Sequence, residues 1–295
     1  MLFLGELAAL LTSFLWSNSS FIFTAASMRI GSIQLNVDRM LVSLLYLILT
    51  IIIFHINLGL NYNQVLLLSL SGLIGLIIGD TALFKSFAEI GPFYSMLLYS
   101  TNPGIAAVFS FLILGETLGI FTIIGITITI LGIFVVSLDK KNANKKFRLT
   151  TRGIILGIIA ALGQGIGLIF AKMAFNYGDL NSFVATFVRI GAAFIVMLIL
   201  AIILRRYHNP VKLYRRDIKS LKLVALGSFI GPYIGITLSF IALENTSVGI
   251  AATLMSTSPI MIIPISRIVY KEQTSFSSIL GACIAVLGIA ILFLF

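Results

Sequence analysis

The chain has 295 residues, of which 59% are apolar and only 10% charged, with a formal net charge of +10 and a mean hydropathy of +1.11. Soluble domains carry about 25% charged residues, so this composition excludes a soluble globular protein and leaves almost no chain for one. An excess of positive charge points to nucleic acid in a soluble protein; here its confinement to short loops points to anionic lipid headgroups, and no nucleic-acid partner is expected.

A bilayer core about 30 Å thick takes about 20 apolar residues per helix. Taken in order, ten spans are expected, at about 3–26, 37–56, 64–86, 92–114, 119–138, 152–176, 181–204, 222–243, 248–270 and 275–294. The first has no basic leader, and its apolar run continues through Trp16 to Ala26, so it reads as a helix rather than a signal peptide. Trp16 and Asn18 lie near its middle. The second carries Arg39, which with Asp38 next to it in the chain reads as structural. The third carries Asp80. A carboxylate in hydrocarbon is costly and normally faces a partner or a watery cavity. Asp80 is therefore either a substrate- or proton-binding group or half of a structural ion pair, with Lys85 or with a neighbouring helix.

The fourth span contains Tyr94, Tyr99 and the run Ser100-Thr101-Asn102-Pro103. A proline inside a helix removes a hydrogen bond and frees a carbonyl, and in lipid that carbonyl must find protein, water or ligand. Pro103 therefore reads as a hinge and Asn102 as a candidate ligand-binding group; the bland alternative is that the polar side chains bond back to their own helix. Glu116 follows this span at a turn, where a carboxylate near a helix start is stabilised by about 0.3–1 kcal/mol.

The longest connections, about 139–151 and 205–221, are strongly basic. With Arg29, Arg39, Lys85, Arg152, Lys222, Arg267 and Lys271 they place 18 of the 20 Lys and Arg residues on one face, which the positive-inside rule makes cytoplasmic. The chain then sits in the plasma (inner) membrane with both termini outside. The two remaining cations lie within spans. Lys172, late in the sixth, either snorkels to the outer interface or holds an anionic group. Arg189, deeper in the seventh, has no acidic neighbour in its own span and needs a carboxylate, carbonyls or a substrate.

Gln164 sits halfway along the sixth span in Gly163-Gln164-Gly165-Ile166-Gly167. That glycine cluster has no preceding strand and no phosphate-binding lysine, so it reads as close helix packing. Tyr233 in the eighth span and Thr257, Ser258 and Pro259 in the ninth complete the candidates, with Pro259 a second hinge. Cys283 is single and forms no internal disulfide. No metal-ligand set and no catalytic constellation is visible, so no cofactor, metal or enzymatic activity is expected.

The halves repeat. Ser100-Thr101-Asn102-Pro103 recurs as Ser256-Thr257-Ser258-Pro259, and the same offset of 156 carries Glu116 to Glu272, Gly125 to Gly281, Gly132 to Gly288 and Gly75 to Gly231. With five spans per copy, the second copy enters the membrane from the opposite side. The expected architecture is all-α: ten transmembrane helices in two inverted five-helix repeats, 1–138 and 152–295, joined by the basic linker 139–151 and facing a central cavity.

Gly79-Asp80-Thr81-Ala82-Leu83-Phe84-Lys85, Ile90-Gly91, Asn102-Pro103, Leu114-Gly115-Glu116, Gly125 and Leu131-Gly132 in the first copy, with Ala242-Leu243, Pro259, Lys271-Glu272, Gly281 and Leu287-Gly288 in the second, resemble the drug/metabolite transporter superfamily, specifically proteins with two EamA-type domains. The resemblance covers essentially the whole chain. It departs in the second copy, which has Leu238-Ser239-Phe240 near the level of the Gly-Asp-Thr stretch. The resemblance implies two inverted bundles, a central pathway and movement of small organic solutes such as amino acids or other metabolites. The expected function is secondary transport by alternating access, by a monomer or homodimer, with proton coupling through Asp80 allowed but not required. A facilitative channel and an intramembrane enzyme are the alternatives.

Overall fold

A computed structural model describes residues 3–102, 104–105, 108, 119–137, 149–245, 251, 254–269 and 275–294. Among the described residues all regular structure is helical, without a strand. Six stretches among the described residues are long and apolar enough to cross a bilayer: Leu4–Ile30, Ser32–Ile53, Tyr62–Tyr99, Thr151–Phe175, Ser182–Ile203 and Ile218–Asn245. Shorter apolar helices run over Ile123–Ile133 and Ile279–Ile291.

The helices are α1 (Leu4–Ile30), α2 (Ser32–Ile53), α3 (Tyr62–Gly72), α4 (Asp80–Tyr99), α5 (Ile120–Ser137), α6 (Thr151–Phe175), α7 (Ser182–Ile203), α8 (Pro210–Arg216), α9 (Ile218–Ser228), α10 (Ile236–Asn245), α11 (Ser258–Val269) and α12 (Phe276–Leu294). Their starts follow the sequence. Asn61 and Gln64 form a reciprocal capping box on α3, while Thr150, Asn181, Asn209 and Asp217 cap α6, α7, α8 and α9.

Two reversals are made by single glycines. Gly31 (φ 82°, ψ 153°) separates α1 from α2, and Gly91 (φ 82°, ψ 168°) interrupts α4 just before Pro92. Both lie in backbone space open essentially to glycine alone. Nine residues of straight helix span about 13.5 Å, yet the hydroxyls of Ser86 and Ser95 are 2.8 Å apart. The chain therefore folds back at Gly91, where a connection over 87–91 was expected.

Between α3 and α4 the helix widens into a π-helical segment, Leu73–Gly79, and between α9 and α10 into another, Phe229–Gly235. The two stand 156 residues apart, as do two helix breaks. At these, Thr101 N–H reaches back only to Leu98 O (3.1 Å) and Thr257 N–H to Leu254 O (3.2 Å). Pro259, with no N–H to donate, follows the second break.

Small residues let the helices touch. A Cβ on Gly72 would lie 2.2 Å from the Arg189 carbonyl oxygen, and one on Gly163 2.7 Å from Gly79 Cα. Helices α5 and α12 meet the same way: Cβ atoms on Gly132 and Gly288 would each lie 2.4 Å from a backbone nitrogen, of Ala285 and Thr129 respectively. The outer faces are apolar, with Ile53, Ile199 and Ile203 exposed, while Ser17, Thr24, Ser43 and Thr186 are fully enclosed. That distribution is the reverse of a soluble protein's and suits a hydrocarbon solvent.

Several sequence expectations shift. Helix α2 starts at Ser32 rather than near 37, because Gly31 alone makes the turn, so Arg39 lies two turns inside the protein and not on the basic face. The eighth apolar helix starts at Ile218, and the loop before it contains the short α8. Asp38 does not pair with Arg39: it accepts from Gln34, Tyr207 and Tyr214, tying the base of α2 to the 204–217 connection. Pro103, Leu114, Gly115, Glu116, Lys271, Glu272 and the lysines and Arg148 of the linker lie outside the described residues.

Candidate solute cavity

The widened turn at Leu73–Gly79 is held by side chains from two other helices. Asn36 of α2 donates to Leu76 O (2.8 Å), and Gln164 of α6 donates to Gly75 O (3.3 Å). The segment thus hands its carbonyls to polar side chains in the protein centre, as π-helical turns at functional sites commonly do. It also delivers Asp80, the first residue of α4, to the same place.

Asp80 is 6% exposed and pairs with Arg39, which is 3% exposed. Its Oδ1 accepts from Gln164 Nε2 at 3.0 Å. Arg39 is further held by Nε donating to Asn36 Oδ1 (2.9 Å) and by the Phe84 ring, 4.8 Å from the guanidinium carbon. On the other side Arg189 Nη2 donates to Gln164 Oε1 at 3.1 Å. Arg189 is 2% exposed and stacks 5.7 Å from the Phe240 ring, and its Nε has no hydrogen-bond partner among the described residues. Two guanidiniums and one carboxylate are therefore linked through one amide across α2, α4, α6 and α7.

These groups line one wall of a cavity of about 60 Å³, room for a few waters. The opposite wall comes from α1, the second π-helical segment and α10, with Trp16, Phe23, Gly231, Pro232 and Ile236. A second cavity of about 20 Å³ shares Trp16, Met96, Tyr99 and Leu168 with the first and continues to Ser100, Asn102, Ser256 and Ser258. The Trp16 and Tyr99 rings meet edge-on, with centroids 6.5 Å apart, at the junction. Beyond it, Ser13 of α1 lies 3.0 Å from the Thr257 hydroxyl and 3.2 Å from that of Ser258.

The residues singled out from the sequence thus fall into three groups. Trp16, Asp80, Tyr99, Gln164 and Arg189 line the larger cavity, and Asn102 and Ser258 the smaller. Thr257 sits beside the latter on Ser13. Asn18, Tyr233 and Lys172 line neither of these two cavities. Asn18 donates back to Phe14 O (2.8 Å), and Tyr233 bonds Thr50 (2.6 Å) in the apolar core. The polar groups at the breaks also bond back: Thr101 to Leu98 O, Asn102 to Tyr99 O and Thr257 to Leu254 O. Lys85 is not the partner of Asp80. Arg39, read as structural, is. The signal for it was the cost of Asp80 itself, which requires a cation at the same depth.

The apolar exterior, the long apolar helices and the buried polar centre define a multi-pass membrane protein. The EamA-like transporter family model matches residues 3–138 and again 151–294. The chain belongs to that family and, with two such domains, to the drug/metabolite transporter superfamily. A protein of known crystal structure aligns with TM-score 0.68 at 18% identity, over 98% of this chain and 96% of its own, a likeness of fold. No curated protein matches.

Proposed function

We propose that this protein is a secondary transporter that moves a small organic solute, an amino acid or related metabolite, by alternating access between two inverted five-helix repeats. The observation that carries the reading is the central cavity: charged residues sit deep inside a membrane-type fold, lined by both halves of the chain and flanked by equivalent helix breaks at Thr101 and Thr257. Buried charges in membrane helices mark solute and ion pathways. The inverted arrangement is supported by the α5–α12 contact, in which Gly132 meets Gly281 and Ala285 while Gly288 meets Gly125 and Thr129. Each residue is the other's equivalent at the offset of 156, so the contact maps onto itself when the halves exchange.

In this reading the breaks beside Pro103 and Pro259 are hinges, Trp16 and Tyr99 separate the cavity's two chambers, and the basic loops face the cytoplasm with the termini outside. Uptake into liposomes containing the purified protein, from a mixed amino-acid and metabolite pool, tests it. Saturable flux of one compound class is expected. Unsaturable flux would instead indicate a channel, and chemical conversion of a pool member an enzyme. Flux lost in Asp80→Asn only when a pH gradient drives it would identify Asp80 as the proton-coupling group.

A further inference from the structure

Arg189 is the one cavity-lining cation, among the described residues, with no carboxylate in contact. The single carboxylate in the wall, Asp80, has Oδ2 on Arg39 and Oδ1 on Gln164. Asp38, next to Arg39 in the chain, is taken up by Gln34, Tyr207 and Tyr214. Arg189 is left with a neutral amide oxygen, an aromatic face and an Nε with no partner, at 2% exposure. A guanidinium cannot shed its proton to escape this, and a buried cation without a counter-charge is strongly disfavoured. The chain nevertheless builds the arrangement: Gly75 leaves room for it, since a Cβ there would lie 2.8 Å from Arg189 Nη2.

We propose that the transported solute is a monocarboxylate, whose anionic group docks on Arg189 and whose apolar body lies against Trp16, Phe23 and Ile236. This rests on the transporter reading above and narrows its solute from amino acids and related metabolites to carboxylates without an ammonium group. Two guanidiniums against one carboxylate leave one positive charge, which a single carboxylate neutralises; a phosphate dianion would overshoot it. A zwitterion brings an ammonium for which the cavity offers no free carboxylate. The hydroxyls of the facing wall, Ser19, Ser20 and Ser239, bond to carbonyls of their own helices, and the rest of that wall is aromatic and aliphatic. A planar guanidinium edge facing an apolar chamber selects a carboxylate with a hydrophobic tail.

The test is ligand-induced thermal stabilisation of the whole protein in a fixed detergent and lipid mixture. The probes are 3-phenylpropanoate and 4-methylpentanoate, their neutral amides, phenylalanine, leucine, inorganic phosphate and chloride. The carboxylates are expected to stabilise at concentrations at least about tenfold below their amides and the amino acids, and Arg189→Gln to weaken the carboxylates by about tenfold or more, with Arg189→Lys falling between. The wild-type comparison of acid with amide stands even where a variant fails to fold. Equal stabilisation by amides or amino acids, an equal response to phosphate or chloride, or stabilisation by anionic lipid with none by the acids would each overturn the proposal. Flux of neutral or zwitterionic solutes without carboxylate binding would overturn it while leaving the transporter reading intact. Carboxylate binding without flux would uphold Arg189 as a carboxylate site but remove the transporter reading, and with it the claim that the carboxylate is the transported solute.

Discussion

Leu73–Gly79 and Phe229–Gly235 have the same length, stand 156 residues apart and both lay glycines against a partner helix, yet their surroundings differ in kind. The first leads into Asp80 and rests on Gln164 and Arg189. The second leads into Ile236 and rests on Trp16, Ser19 and Phe23. A Cβ on Gly75 would meet a guanidinium, whereas one on Gly231 would meet the edge of a phenyl ring. The duplicated backbone solves the same problem twice, bringing an unusually wide helix to the centre of the protein. The side chains then make one wall of the cavity charged and the other mainly apolar, a pairing that suits a solute with a charged head and an oily body.

The comparison breaks most severely at the charged wall. Asp80→Ala leaves Arg39 buried without its counter-ion, and a loss of about 3–5 kcal/mol is expected, seen as a lower unfolding midpoint in detergent. Replacing both partners, Arg39→Met with Asp80→Leu, should recover most of that stability, since an apolar pair of similar volume often matches a buried ion pair. A double variant no more stable than the single one would show that the pair's hydrogen-bonded neighbours, not its charge, set the cost.

Two glycines eight residues or fewer from Asp80 separate packing from recognition. Gly72→Ala drives a methyl into the Arg189 backbone oxygen, 2.2 Å away, so α3 and α7 must part; about 1–3 kcal/mol of stability should be lost. The methyl of Gly75→Ala crowds the end of the Arg189 side chain, 2.8 Å away, and touches Gln164 only at ordinary contact distance, 3.5 Å. It should leave the unfolding midpoint nearly unchanged and weaken solute binding. Equal losses of stability in the two variants would refute this division.

Ile236 occupies the place after Gly235 that Asp80 occupies after Gly79, so Ile236→Asp makes the two walls alike. The added carboxylate should answer the surplus guanidinium and cut carboxylate uptake by about tenfold or more, with cations or zwitterions gaining relative to it. The smallest effect belongs outside the membrane. Asp217 at the start of α9 is held well below the usual carboxylate range by its bonds to Arg29 and then Ser220. A depressed pKa contributes stability above the unfolded value of about 4, lost as pH falls through the lower folded value. The midpoints of wild type and Asp217→Asn should therefore differ slightly at pH 7 and converge as the pH drops below about 4.

Hydropathy located the apolar helices because bilayer thickness imposes a length on each, and the repeated Ser-Thr-x-Pro run marked the breaks because proline has no N–H to give. The π-helical segments were invisible: LIGLIIG and FIGPYIG read as apolar helix, and the carbonyls of the first are taken up by Asn36 and Gln164 arriving from elsewhere. Asp80, Gln164 and Arg189 were legible one by one, as polar groups too costly to leave in lipid. Their linkage was not, since it joins residues up to 109 positions apart. Arg39 was misjudged because its nearest acid in sequence, Asp38, lies one position away, and successive helical residues face different directions.

The central claim is that the cavity opens alternately to the two sides. Counterflow tests it most directly: liposomes containing the protein are loaded with unlabelled solute from the class that binds, and entry of a trace of labelled solute is followed. Alternating access predicts transient accumulation of label above its equilibrium level, abolished in Arg189→Gln. Label that only equilibrates, at a rate indifferent to the unlabelled solute inside, would contradict the account and make the pathway a channel.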